Sequence, residues 1–171
     1  MAEYSAGILL YRLRGGALAV LLIHPGGPYW RSKDAGAWMI PKGGINPGET
    51  AAAAAAREFE EELGMRAPAD PEPLCRIRQA GGKWVDVFAV EGDFDPARIE
   101  STHFEMEWPP RSGQMQSFPE ADRAEWFTLA AAREKMLASQ QPTLDALEAR
   151  LAGLPMPPSL REVPDGAARR A

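Results

Sequence analysis

The chain has 171 residues, 45% apolar and 25% charged, with 19 Lys and Arg against 24 Asp and Glu for a net charge of −5. That length suits one compact domain with a sizeable core, and the composition is that of a soluble globular protein. The acidic balance argues against gripping bulk nucleic acid through surface charge and against a polybasic membrane anchor. The lone cysteine, Cys75, has no partner for a disulfide or a Cys-based zinc site and reads as a small core residue. Met1-Ala2-Glu3-Tyr4 carries no basic leader, and the uncharged stretch from Gly15 to Trp30 is broken by Gly and Pro. No signal peptide or membrane span is expected, and the expected location is cytoplasmic.

In chain order, Ser5–Tyr11 and Leu18–Ile23 are apolar runs joined through Arg14-Gly15-Gly16, the pattern of a strand, a tight turn and a second strand. A Gly- and Pro-rich loop, His24 to Ala37, leads to the short apolar piece Trp38-Met39-Ile40, which Pro41 ends. The loop Lys42–Gly48 follows. Thr50 is placed to cap a helix over Ala51–Leu63, whose six consecutive alanines have the best intrinsic propensity, and Gly64 stops it. Further strands are expected at Leu74–Gln79, Trp84–Val90, His103–Trp108 and Glu125–Thr128, with helices at Leu129–Leu137 and Pro142–Leu151. Residues 1–151 therefore read as one domain of mixed α/β class, a mixed sheet with helices on both faces. Residues 152–171 hold four prolines without periodicity and read as a frayed or surface-laid tail.

The informative segment is Arg57-Glu58-Phe59-Glu60-Glu61-Glu62-Leu63-Gly64. Glu58, Glu61 and Glu62 stand at i, i+3 and i+4, so their carboxylates share one helix face. Like charges at that spacing cost about 0.2–0.5 kcal/mol per pair, and the macrodipole disfavours anions near a helix C-terminus. A solvated acidic face is the ordinary meaning of such a run. The alternative is a divalent-cation site of hard oxygen ligands, suited to Mg²⁺ with Mn²⁺ as a substitute. Upstream, Gly43-Gly44-Ile45-Asn46-Pro47-Gly48-Glu49-Thr50 imitates the spacing of a phosphate-binding P-loop. Glu49 takes the lysine position, however, and would repel the phosphates that lysine should hold, so the P-loop reading fails.

Taken together, Gly43 to Met65 matches Gly-x5-Glu-x7-Arg-Glu-U-x-Glu-Glu-x-Gly-U, where U is a bulky apolar residue. Gly43, Glu49, Arg57, Glu58, Glu61, Glu62 and Gly64 meet every fixed position, and Phe59 and Met65 the two apolar ones. On this motif the chain resembles a Nudix hydrolase. The resemblance implies an α/β/α sandwich in which a loop–helix–loop packs on a mixed sheet, and Mg²⁺-dependent hydrolysis of a nucleoside diphosphate linked to another moiety. It implies that Glu58, Glu61 and Glu62 hold the metal with the backbone carbonyl of Lys42, that Arg57 orients the glutamates, and that Glu49, Gly43 and Gly64 support the site. A further glutamate from a late loop serves many members as metal ligand or general base. Glu120, just before the strand at Glu125–Thr128, is the candidate here, with Glu125 its competitor.

The chemistry agrees independently, because water attacking a polyphosphate needs clustered anionic oxygens neutralised and a proton acceptor at hand. Lys42, Lys83, Tyr29 and Trp84 are candidate substrate contacts, through charge for the lysines and base stacking for the aromatics. Lys33, Arg111 and Trp108 are weaker candidates, and His24 and His103 receive no role. The run Trp38-Met39-Ile40-Pro41-Lys42-Gly43-Gly44 is similar to members acting on dinucleoside or diphosphoinositol polyphosphates, which makes a dinucleoside polyphosphate the leading substrate. A nucleoside triphosphate, a nucleotide sugar, a diphosphoinositol polyphosphate and a non-catalytic nucleotide sensor are the alternatives. The partner expected is a small nucleotide or polyphosphate, with oligomeric state open. Residues 49–62 alone carry a net charge of −4, so the acidity of the chain belongs to this segment.

Overall fold

Ile8-Leu9-Leu10 and Val20-Leu21-Leu22-Ile23 lack polar alternation, the mark of strands covered on both faces. In the computed structural model, which describes residues 3–164, they form the centre of a six-stranded sheet. β1 (Tyr4–Arg14) and β2 (Ala17–Pro25) make an antiparallel hairpin. Its turn needs two left-handed residues, and Gly15 and Gly16 supply them with φ of 57° and 80°. β3 (Lys42–Gly44) pairs antiparallel with Ser5–Gly7 at the start of β1. β4 (Glu72–Arg78) is antiparallel to β5 (Trp84–Glu91), and β5 runs parallel to β1. β6 (His103–Glu107) and β7 (Met115–Pro119) form a separate two-stranded sheet, while β8 (Ala121–Thr128) closes the main sheet against β2.

Alternate residues of the central strands feed two cores. Leu9, Val20, Leu22, Val85 and Val87 pack under α2 (Leu129–Lys135) and α3 (Pro142–Leu151). Ala6, Ile8, Leu10, Leu21 and Phe88 pack under α1 (Ala51–Leu63), which seats Ala54, Ala55, Phe59 and Leu63 against them. The result is the expected α/β/α sandwich. Helix α1 begins and ends where the sequence places it. The Thr50 hydroxyl accepts from the Ala53 amide at 3.0 Å, and Gly64 donates its amide to the Glu60 carbonyl from a left-handed conformation. Cys75 is fully buried, and burial pushes its thiol up to about 12.

Several elements differ from expectation. Lys42–Gly44, expected as loop, is strand, because the start of β1 extends beyond the hairpin and offers it an edge. The second strand of the β6–β7 ribbon lies in a polar, Gly-containing region whose pattern has no apolar alternation. β8 starts four residues earlier than expected, since pairing with His24 and Pro25 holds Ala121–Ala124 extended. α2 ends at Lys135 because the Trp38 amide donates to the Lys135 carbonyl and the Trp38 carbonyl accepts the Leu137 amide, which draws the chain out of the helix. After α3, residues 152–164 fold back along the edge of β4, where the Arg76 amide donates to the Arg161 carbonyl at 2.7 Å. Residues 165–171 of the expected tail lie outside the described residues. Among the described residues, no helix is long and apolar enough to cross a membrane.

Gly64 has a second constraint besides its φ of 83°. A Cβ there would lie 2.6 Å from the Glu100 carbonyl oxygen and 2.7 Å from the Glu100 Cβ. Gly64→Ala is therefore expected to lower the free energy of unfolding by at least about 1–2 kcal/mol in urea titrations. An unchanged midpoint would show that segment 99–102 gives way freely.

Candidate active site

Carboxylates crowded on one helix face need a counter-charge, and Arg57 provides it from the same helix. Its Nε and Nη2 donate to the two oxygens of Glu49 at 2.8 and 3.0 Å, and Nη2 also reaches the Gly44 carbonyl at 2.8 Å. Nη1 donates to Glu58 at 2.8 Å and to both oxygens of Glu61 at 3.3 Å. One rigid, planar guanidinium thus ties the loop before α1 to two carboxylates on it. Glu49 also accepts the Asn46 amide at 3.0 Å, and its hydrogen bonds from Arg57 hold its carboxyl below the usual range. The same partners raise the pKa of Arg57, so this link stays charged.

Gly43 faces Glu58 so closely that a Cβ would fall 2.1 Å from the carboxyl carbon, so a larger residue there would displace that carboxylate from its place beside Arg57. Glu62 is the most enclosed of the three glutamates, with 9% of its surface exposed, and its Oε2 is buried without a hydrogen-bond partner. Burial first, and then the charge of Glu58, push its carboxyl well above the ordinary value, with Lys42 opposing them. Lys42, half-buried on β3, has its own pKa lowered by burial despite the attraction of Glu62 and Glu58.

Glu120 joins this group through a chain of backbone hydrogen bonds. The Glu61 carbonyl, left without a partner at the end of α1, accepts the Thr102 amide at 2.8 Å. The Thr102 carbonyl in turn accepts the Glu120 amide at 2.8 Å, and the Glu120 carbonyl accepts the Gly26 amide at 3.0 Å. The Ser101 hydroxyl takes the Ala121 amide at 3.0 Å. Although Glu120 is exposed, partial desolvation and then Glu58 and Glu61 raise its pKa. Glu125 lies within β8 opposite Leu22 and points to solvent.

The candidate substrate contacts are spread more widely. Tyr29 is exposed on the loop after β2 and meets Trp108 edge to face, with centroids 5.2 Å apart. Lys83 pairs with Glu3 at 2.8 Å, and half-buried Trp84 lies under the guanidiniums of Arg78 and Arg161 at 5.3 and 5.0 Å. Trp38 and Ile40, from the run that resembles polyphosphate-acting members, are core residues, so only Lys42 to Gly44 of that run borders the carboxylates. Sequence reasoning missed His24. It is fully buried, its Nε2 donates to the Lys33 carbonyl at 2.6 Å, and its Nδ1 meets Asp122 at 2.9 Å. It therefore ties the Tyr29 loop to the turn that carries Glu120. No local signal marks it, because its partners lie 9 and 98 residues away.

As the side chains stand, no three acidic, histidine or cysteine groups among the described residues converge as a metal site. Arg57 holds two of the glutamates apart from such a geometry. The donor set nevertheless fits a hard divalent cation. It consists of carboxylate oxygens, and the orphaned Glu62 Oε2 is the atom that a cation or a proton must satisfy. A carboxyl whose pKa is raised on folding loses stability as pH climbs above its unfolded value, since the folded state keeps the proton longer. Glu62→Gln is therefore expected to raise the thermal midpoint at about pH 8 in chelated buffer. The gain should shrink as the pH is lowered toward about 4. A shift of equal size at both pH values would show that charge is not its cause.

The family model described as the NUDIX domain matches residues 1–147. An RNA pyrophosphohydrolase of Erythrobacter litoralis is 45% identical over 62 residues, which are 36% of this chain and 34% of that protein. An octanoyltransferase of Myxococcus xanthus is 29% identical over 132 residues, 77% of this chain and 32% of that protein. The chain thus spans about a third of the length of each of these curated relatives. The structure of a Caenorhabditis elegans Ap4A hydrolase binary complex superposes with a TM-score of 0.61 at 23% identity, covering 88% of this chain and 99% of that one. With the box, the sandwich and the family match in agreement, the chain belongs to the NUDIX domain family.

Proposed function

We propose that the protein is a divalent-cation-dependent pyrophosphohydrolase. In this reading it cleaves a phosphoanhydride of a nucleoside diphosphate linked to a second moiety, with a dinucleoside polyphosphate as the leading substrate. The observation that carries the reading is the gathering of Glu58, Glu61, Glu62 and Glu120 beside Lys42, with one glutamate oxygen buried and unpartnered. A merely solvated acidic face would not bury Glu62, nor have a fourth carboxylate brought by a distant turn close enough for the charges to be felt. The name of the Erythrobacter relative is in keeping with phosphoanhydride cleavage. The dinucleoside preference rests on Lys42-Gly43-Gly44 and the residues before them, and the Ap4A hydrolase shares the fold.

Glu58, Glu61 and Glu62, with the Lys42 carbonyl, would hold Mg²⁺ or Mn²⁺, and Glu120 would complete the set or act as the base. The cation supplies charge neutralisation at the phosphate oxygens and a more acidic water. Arg57 keeps Glu58 and Glu61 aimed and must exchange part of its hold when they ligate. The Lys42 ammonium would face the anionic substrate, and in its role as base the Glu120 carboxylate would take the proton that the attacking water gives up. The water oxygen forms its bond to phosphorus as the bridging P–O bond breaks, and the leaving phosphate carries away the electron pair. Tyr29, Lys83 and Trp84 are the proposed contacts for the rest of the substrate.

Phosphorus NMR of a panel of dinucleoside polyphosphates, nucleoside triphosphates, nucleotide sugars and diphosphoinositol polyphosphates with Mg²⁺ identifies substrate and products together. Glu58→Gln and Glu61→Gln are expected to lower kcat on the order of 10²- to 10⁴-fold, and Glu120→Gln far more than Glu125→Gln. Unchanged turnover in Glu61→Gln would remove its assigned role. Binding of the panel compounds without any cleavage would favour a nucleotide-sensing module. Millimolar Mg²⁺ should also raise the thermal midpoint, and no response to Mg²⁺ or Mn²⁺ would end the metal reading.

A further inference from the structure

The arginines around Trp84 have no part in the carboxylate site. A cleft of about 220 Å³ lies where residues 157–161 fold along the edge of β4, lined by Arg76, Arg78, Trp84, Ser139, Ser159 and Arg161. Arg76 is committed to the buried carboxylate of Asp86 through hydrogen bonds of 2.5 and 3.0 Å. Arg78 and Arg161 have no carboxylate partner among the described residues. Both guanidiniums instead lie over one indole, at 5.3 and 5.0 Å from its centroid. Gathering two cations at one ring costs mutual repulsion that the ring quadrupole only partly offsets. Neither guanidinium has a side-chain hydrogen bond or ion pair among the described residues, so both keep donors to offer an anion.

The cleft is smaller than the roughly 300–1,000 Å³ of sites that enclose a drug-sized ligand, so it suits a phosphoryl group rather than a whole nucleotide. Its place in the sheet connects it to the carboxylates. β5 and β3 flank the start of β1, with Trp84 opposite Tyr4 and Gly44 opposite Ser5. Two strand spacings, about 10 Å, therefore separate Trp84 from the end of β3. Lys83, paired with Glu3 at 2.8 Å, immediately precedes Trp84 at the same end of the sheet, and its charge is felt at Lys42. Lys42, Lys83, Arg78 and Arg161 thus lie at the same end of the sheet as the glutamates.

We propose that the cleft between β4 and residues 157–161 is a phosphate-binding subsite, built by Arg78 and Arg161 on Trp84, that holds the uncleaved far phosphate of the substrate. The assignment to substrate rests on the pyrophosphohydrolase reading; the capacity to bind phosphate does not. Substrates with a further phosphate beyond the broken anhydride are then preferred over those ending in an uncharged group.

The test is calorimetric titration of inorganic tripolyphosphate into the full chain in EDTA, where the glutamates have no cation to offer it. Binding is expected, with the affinity lowered about tenfold or more in Arg78→Ala/Arg161→Ala. Arg133→Ala, which removes a cation on α2, should leave it unchanged. Absence of metal-free binding, or equal binding by the double variant, overturns the proposal. Near-UV circular dichroism checks folding, and if the double variant is unfolded, Arg161→Gln is read in its place with the same expected direction. With a cleaved substrate in hand, the double variant should raise KM with kcat unchanged, and an unaltered KM would sink the assignment to substrate. Arginine-dependent binding without turnover of any compound would retain the phosphate site and remove the hydrolase reading, so the two fail separately.

Discussion

The guanidinium of Arg57 is the interaction on which the geometry of the site depends. Five acidic residues fall within residues 49–62, and a helix with three of them on one face near its C-terminus opposes both its neighbours and its own dipole. Arg57 offsets this locally by binding Glu49 with two donors and by touching Glu58, Glu61 and the Gly44 carbonyl as well. Lysine, a single point charge, has no fork with which to hold a loop and a helix at once. The arrangement also explains why the glutamates stand close together without forming a ready metal cage: the cation that orients them occupies their inner oxygens. In the proposed mechanism, Glu58 and Glu61 would turn part of their hold from Arg57 toward a divalent ion, and Glu62 would offer it the oxygen that now lacks a partner.

Around this centre the fold acts by bringing strand ends together. The first residues of β1, β5 and β8 and the last of β2 and β4 lie at one end of the sheet, with β3 alongside. The C-terminal carbonyls of α1 are satisfied by residues 100–102 rather than by basic side chains, and the same segment carries Glu120 to the helix. Gly64 serves both purposes, as the left-handed cap and as the opening through which Glu100 approaches. A residue of the box that looks like a simple helix stop is therefore also a spacer for the distant glutamate.

The helix and its cap were legible because their causes are local: a threonine hydroxyl, six alanines and a glycine act within a few residues. The two-sided burial of β1 and β2 was legible from unbroken apolar runs. Less visible were β3 and the early start of β8, whose pairing depends on edges supplied by strands far away in the chain. Trp38 illustrates the same limit. It stands in a run similar to polyphosphate-acting relatives, yet its ring packs against His24 and Phe127 in the core. An aromatic beside a glycine-rich loop has the same sequence signature whether it faces ligand or protein.

By itself, the sequence determined the family box, the carboxylate face of α1 and the helix boundaries, since fixed spacing on a helix sets which side chains share a face. Tertiary structure decided which of those carboxylates lost water, that Glu120 feels their charge while Glu125 lies exposed within β8, and that Arg78 and Arg161 meet over Trp84. Desolvation and convergence depend on what the rest of the chain packs against a residue. Contacts such as those from His24 to Asp122 and from Arg76 to Arg161 join positions 98 and 85 residues apart, beyond the reach of any local pattern.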